Sequence, residues 1–162
     1  MTVLDVRRDP EALTITVTAE FAAPRDRVWQ LYADPRQLER WWGPPEWPAT
    51  FERHEIVPGG VATYYMTGPD GEKAPGWWRF LAVDPPVSFE AEDGFGASPD
   101  EATPDMPVMR MSVRLDETAH GTRMTSVSTF ASLEQLEQVV AMGIEEGLRG
   151  AMGQMDALLA AG

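Results

Sequence analysis

Residues 14–43 read TITVTAEFAAPRDRVWQLYADPRQLERWWG, and the change of period inside this stretch decides the fold. From Thr14 to Phe21 the chain alternates strictly. Ile15, Val17, Ala19 and Phe21 fall on one side, and Thr14, Thr16, Thr18 and Glu20 on the other. That pattern predicts a half-buried strand. Pro24 then stands where a first helical turn tolerates proline, and Val28, Leu31 and Tyr32 follow at i, i+3, i+4 on one helix face. Asp34-Pro35 interrupts this helix. Residues 35–42 read as a second short helix with Leu38, Trp41 and Trp42 inward, ended by Gly43-Pro44-Pro45.

Working outward, residues 3–8 can pair with this strand across Asp9-Pro10. Downstream the period changes to two. Residues 50–57, 60–67, 75–83, 87–92, 108–115 and 122–130 read as strands. They are separated by Pro58-Gly59-Gly60, Pro69-Asp70-Gly71, Asp84-Pro85-Pro86 and His120-Gly121, turns too short for βαβ crossovers, so the pairing is antiparallel. Residues 94–107 form the longest irregular stretch. The interval 92–105 holds five acids and no base, which predicts a solvated loop. Ser132, with Gln135 three residues on, opens a helical pattern to Ala160 that resembles a capping box. Gly143, Gly147, Gly150 and Gly153 recur in that helix, each costing about 1 kcal/mol against Ala. They imply close packing or a kink near Gly143, or else room left for a cavity.

The 162 residues suit a single domain spanning 1–162, long enough to need no disulfide or metal staple. Thirteen basic against 26 acidic residues leave a net charge of −13, which repels phosphate backbones and anionic lipid. Nucleic acid is not expected as a partner. Cysteine is absent, which removes disulfides, thiolate nucleophiles and Cys-ligated zinc. No apolar run reaches the ~20 residues of a membrane span, and charges at Asp5, Arg7, Arg8 and Asp9 break any signal-peptide core. A cytoplasmic, bacterial-type protein without membrane insertion is expected. Fifteen aromatics and nine Met in so acidic a chain must fill a core, line a cavity, or both.

Strands grouped between helices argue for an α+β protein. The residues also resemble a known superfamily. Ala23-Pro24-Arg25-Asp26-Arg27-Val28-Trp29 leads, followed by Asp34-Pro35 and Leu38-Glu39-Arg40-Trp41-Trp42-Gly43-Pro44. Next come Pro58-Gly59-Gly60, Gly68-Pro69-Asp70-Gly71, Val83-Asp84-Pro85-Pro86 and Gly121-Thr122-Arg123-Met124. Thr129-Phe130, Met142-Gly143-Ile144-Glu145-Glu146-Gly147 and Gln154-Met155-Asp156 complete the match. Together they resemble the helix-grip (START-like, SRPBCC, Bet v allergen-like) superfamily. Within it they resemble the bacterial branch similar to the C-terminal domain of the activator of the Hsp-90 ATPase. The resemblance implies a curved antiparallel sheet of about six or seven strands wrapped around a long C-terminal helix, with two short helices after the first strand. It also implies a cavity between sheet and helix. The eukaryotic activator is similar only in its C-terminal half, so a chaperone partner is not expected.

Period-two reading assigns the inward faces. Met109 and Met111 share one strand face, and Met124, Ser126, Ser128 and Phe130 another. Tyr64 and Met66 align, as do Trp78 and Phe80, with Phe89 on the strand between. Ile144 and Leu148 face them from the last helix, and Trp42, residues 44–47 and Phe95 frame the mouth. Glu52, His54 and Ile56 share a face, which makes His54 a candidate cavity group or general base, or a structural histidine. No Ser-His-Asp order, phosphate-cradling glycine loop or His-x-x-x-His spacing is present, so no catalytic residue, metal or cofactor is assigned.

The expected function is binding of a small hydrophobic or aromatic molecule, as carrier, sensor or sequestering protein, since thioethers repack around varied ligands. An acidic shell favours neutral or cationic ligands over anionic ones. Two alternatives stand beside it: a cyclase- or hydrolase-type enzyme using His54, Tyr64 or Ser126, and a chaperone cofactor or other interaction domain with an apolar patch near Trp42, Pro45 and Trp47. A homodimer stays open.

Overall fold

In a computed structural model the described residues are 3–161; Met1, Thr2 and Gly162, included in the expected 1–162 domain, lie outside them. The chain runs β1 (Val3–Asp9), β2 (Thr14–Phe21), α1 (Arg25–Ala33), α2 (Pro35–Leu38), β3 (Ala49–His54), β4 (Val61–Thr67), β5 (Lys73–Asp84) and β6 (Ser88–Phe95). A 3-10 turn at Pro99–Glu101 precedes β7 (Met109–Thr118) and β8 (Gly121–Thr129), and α3 (Leu133–Ala141), α4 (Ile144–Met152) and α5 (Met155–Ala161) close the chain.

All eight strands form one antiparallel sheet in the order β1-β2-β8-β7-β6-β5-β4-β3. The excursion through α1 and α2 lets β2 pair with β8, so Phe21 stands opposite Thr122. The α+β helix-grip expectation stands, with eight strands where six or seven were expected, because residues 3–9 form a full edge strand.

Alternation along β2 and β7 buries one face of the sheet, as the sequence pattern requires. The other face is exposed and carries cross-strand ion pairs: Arg123 with Glu20 at 3.1 Å, Arg110 with Glu90 at 3.5 Å and Arg79 with Glu92 at 3.6 Å. Such exposed pairs contribute about 0–1 kcal/mol each and serve solubility more than stability.

On the buried face α1 and α2 press an aromatic cluster against the middle strands. Trp41 donates its indole N–H to the Leu31 carbonyl at 2.8 Å and meets the Tyr32 ring edge-on at 4.9 Å. Tyr32 donates to the Met124 sulfur at 3.0 Å. Phe89 packs on Tyr32, Trp78 and Phe80, at 5.4, 6.1 and 5.6 Å. Aromatic pairs of this kind, edge-to-face or, for Trp78 and Phe89, stacked, contribute about 0.5–1.5 kcal/mol each beyond the area they bury.

Two expectations about helices change. Regular α2 ends at Leu38 rather than Trp42, although Trp41 and Trp42 still donate to the Leu38 carbonyl at 3.2 and 2.9 Å. The C-terminal helix is three segments, not one. Ser132 Oγ caps α3 by accepting from the Gln135 N–H at 3.2 Å, but Gln135 Oε1 is buried without a partner, so the capping box is half formed. Gly143 adopts φ +87°, a left-handed conformation that ends α3 and starts α4 in a new direction. A second break at Gly153 is tied down by Gln154, whose amide donates to the Gly43 carbonyl at 2.7 Å and the Trp41 carbonyl at 3.3 Å. Arg27 donates to the Leu158 carbonyl at 2.9 Å and fixes α5 on α1.

The glycines therefore divide between both expected roles. A Cβ at Gly147, inside α4, would meet nothing within 4 Å, whereas a Cβ at Gly150 would touch Pro44 and Pro45 at 3.7 and 3.8 Å. Gly143→Ala is expected to lose about 1–2 kcal/mol to left-handed strain, and Gly147→Ala to gain up to about 1 kcal/mol of helix propensity. Urea titration with unchanged m-values checks the pair; a gain at both positions would mean that the break at Gly143 is not conformationally required.

Candidate functional site

The aromatic cluster does not fill the whole buried face. Where α3 and α4 cross the sheet, a cavity of about 250 Å³ remains between them and strands β4, β6, β7 and β8. From the sheet come Tyr64 and Met66, Met109 and Met111, and Ser126 and Ser128. From the helices come Val139, Ile144, Gly147, Leu148, Ala151 and Met152, and Trp42 closes one end. Pro44, Phe95 and the Met142-Gly143 break lie at the rim, where Met142 is 53% exposed.

Nine of the residues expected on a cavity are thus brought together: Trp42, Tyr64, Met66, Met109, Met111, Ser126, Ser128, Ile144 and Leu148. Six are placed elsewhere. Trp78, Phe80 and Phe89 belong to the packed aromatic cluster, and Met124 is held under Tyr32. Phe130 packs with Ile15, Leu136 and Val139 in a separate apolar cluster. The parity of these residues was read correctly, but rows covered by α1, α2 and α3 are filled by packing rather than left open.

His54 is the sixth. A register shift between Phe51 and Arg53 in the β3–β4 pairing inserts an extra residue. This bulge turns Phe51 and His54 inward and leaves Glu52 exposed, so the expected Glu52–His54 face does not exist. The His54 ring lies among Phe51, Trp78 and Phe80, at 5.8, 6.3 and 5.8 Å. Its Nε2 is 2.8 Å from the Tyr32 carbonyl, which can only accept, so Nε2 carries a hydrogen. Burial holds the imidazole below its ordinary pKa despite that hydrogen bond. His54 does not line the cavity, and its second ring nitrogen is buried without a partner, a placement that fits a structural role. The expected apolar patch is broken as well: Trp42 is buried and Trp47 half-buried, leaving Pro45 exposed.

One lining residue was missed. Strand β6 runs to Phe95, beyond the expected end at Glu92, and its inward parity continues from Phe89 and Ala91 to Asp93. Asp93 stands opposite Trp78 on one side and Met109 on the other. Among the described residues it is the only formally charged side chain on the cavity wall. By its exposed surface Asp93 is half-buried, and desolvation raises its carboxyl pKa to about 7. Beside it the Tyr64 hydroxyl is pushed up, first by burial and then by the Asp93 charge. The indole N–H groups of Trp42 and Trp78 approach the phenol oxygen and partly oppose that rise, yet both lack a partner with hydrogen-bond geometry. The alternation of Phe89, Ala91 and Asp93 was the available signal.

The wall is therefore apolar and sulfur-rich, with hydroxyls at Tyr64, Ser126 and Ser128 and one carboxyl. Among the described residues no group of His, Asp and Glu side chains gathers as a metal-ligand set, and no helix is long and apolar enough to cross a membrane.

The sequence profile of the family described as Activator of Hsp90 ATPase homolog 1-like protein matches residues 22–160. The chain belongs to that family. A Mycobacterium smegmatis protein of known crystal structure is 52% identical, with 97% of each chain covered and a TM-score of 0.89. An Arthrobacter aurescens protein solved by NMR is 50% identical over 98% of this chain and 92% of its own, with a TM-score of 0.91. A Staphylococcus epidermidis protein, also solved by NMR, is 28% identical over 96% and 93%, with a TM-score of 0.82. No curated protein matches the chain. Family membership fits a ligand-binding helix-grip domain and names no ligand.

The raised carboxyl gives a signed expectation. Folded Asp93 keeps its proton to about pH 7, whereas the unfolded group releases it near 3.8. The folded state binds more protons between those values, so this group's contribution to stability falls as pH rises through the window and levels off above it. Asp93→Asn is therefore expected to stabilise the protein at pH 8 by on the order of 2–4 kcal/mol, and by little at pH 4. Thermal unfolding at both pH values checks this; a gain independent of pH would refute the assignment.

Proposed function

We propose that the protein binds a small apolar or aromatic molecule in the cavity under α4, as a carrier, sensor or sequestering protein. The observation that carries this reading is the empty volume bounded by Met66, Met109 and Met111 on the sheet and Gly147 on the helix. A stable interior is normally packed to near crystal density, with few voids larger than a water molecule. This wall also has the composition of a ligand pocket: mostly apolar and aromatic, with a few polar groups. A cavity of about 150 Å³ accepts a benzene, so about 250 Å³ suits an occupant of one or two rings. The flexible thioethers favour a site that adjusts to its occupant. The acidic surface, with its net charge of −13, disfavours anionic occupants.

Gly147 supplies the test, because a side chain placed there points into open space. Wild-type protein is expected to bind 2-naphthol in calorimetry. Gly147→Phe is expected to fold with a similar or higher Tm and to weaken that binding at least tenfold. Unchanged binding in the filled variant would place the probe elsewhere and refute the cavity as the site. Absence of binding by the wild type to 2-naphthol and to a wider panel of one- and two-ring compounds would refute the reading as a whole.

A further inference from the structure

The apolar wall does not account for Asp93. Its carboxyl borders the cavity, and neither a hydrogen bond nor an ion pair engages it among the described residues. The basic side chains that pair from one strand to another, Arg79, Arg110 and Arg123, do so on the opposite, exposed face with Glu92, Glu90 and Glu20. An uncompensated carboxyl in an apolar enclosure is costly unless a partner arrives with the occupant. Resting on the reading of the cavity as a binding site, we propose that the occupant carries a protonated amine, with Asp93 as its anionic anchor.

The chemistry around Asp93 fits that group better than the alternatives. An ammonium brings three donors and no acceptor. The carboxylate, the Tyr64 oxygen and the hydroxyls of Ser126 and Ser128 on the same wall are all able to accept. The rings of Trp42, Tyr64 and Phe95 also line that wall, and aromatic rings attract cations. A carboxylate-bearing occupant would instead bring a second negative charge into a space with no Arg, Lys or His on its lining among the described residues. The surface field acts in the same sense, since a net charge of −13 concentrates cations near the protein.

The anchor also makes binding pH-dependent. Among the described residues Tyr64 is the other titratable group on the wall, and its hydroxyl is raised and stays neutral through the working range. Alkyl amines remain protonated to about pH 9–10. Between pH 5.5 and 8 the change is therefore ionisation of Asp93, and amine affinity rises with pH.

Three probes of one shape separate this proposal from the reading beneath it: 2-phenylethylamine, 2-phenylethanol and phenylacetate, titrated by calorimetry into wild type and Asp93→Asn. At pH 8 the wild type is expected to bind the amine at least tenfold more tightly than the alcohol, and phenylacetate least. The amine preference shrinks at pH 5.5 and disappears in Asp93→Asn. If amine and alcohol bind the wild type equally, or if Asp93→Asn keeps the preference, the anchor is refuted and the cavity reading stands. If none of the three binds the wild type, both fall. The wild-type comparison holds even if the variant folds poorly.

Discussion

Trp42 meets Trp78 edge-on at a centroid distance of 4.8 Å, and the division of the interior depends on that contact. On one side of it, Trp41, Tyr32, Phe89 and Phe80 close ranks into a packed aromatic mass. On the other, the Trp42 ring is the end wall of an open space. The tandem works because Trp41 and Trp42 leave a short helical turn in different directions. Trp41 is pinned by its bond to the Leu31 carbonyl, and Trp42 is turned over Trp78 and Tyr64. Gln154 then ties the backbone of the same turn to the end of α4, so the aromatic mass and the cavity roof share one anchor. Losing that anchor would disturb both halves of the interior together.

Much of this architecture was legible in the residues. Alternation in β2 and β7 and the proline-bounded turns carry the sheet, and the 3.6-residue spacing of Val28, Leu31 and Tyr32 carries α1. What stayed hidden has three physical origins. A bulge at Phe51–Arg53 shifts parity without any glycine or proline to announce it, so His54 was grouped with Glu52. Acid density after Glu90 resembles a solvated loop, which ended β6 before Asp93, although pairing with β5 and β7 holds that segment extended. Inward parity also cannot tell a filled row from an open one. Trp78 and Met111 both face the helices, yet the first lies in the packed mass and the second on the cavity wall.

The glycines of the last helices illustrate how one residue type serves opposing ends. At Gly143 the requirement is conformational, a left-handed φ that redirects the chain. At Gly147, on the cavity lining, a Cβ would meet nothing within 4 Å, so the site is open where a side chain would stand. Helix propensity is given up at Gly147, and the tethers at Gln154 and Arg27 offset part of that cost.

Five of the nine methionines, at positions 66, 109, 111, 142 and 152, border the same space. Each is unbranched, and beside an empty volume it retains rotamer freedom that an occupant would take away, at about 0.5–1.5 kcal/mol per side chain. Enclosure by such a wall carries an entropic penalty that grows with the number of thioethers immobilised. The same mobility allows the wall to mould itself to differently shaped guests and makes shape a weak criterion of choice. Discrimination in a compliant enclosure falls to whatever directional contact is held on a rigid element, and on this wall that element is the sheet.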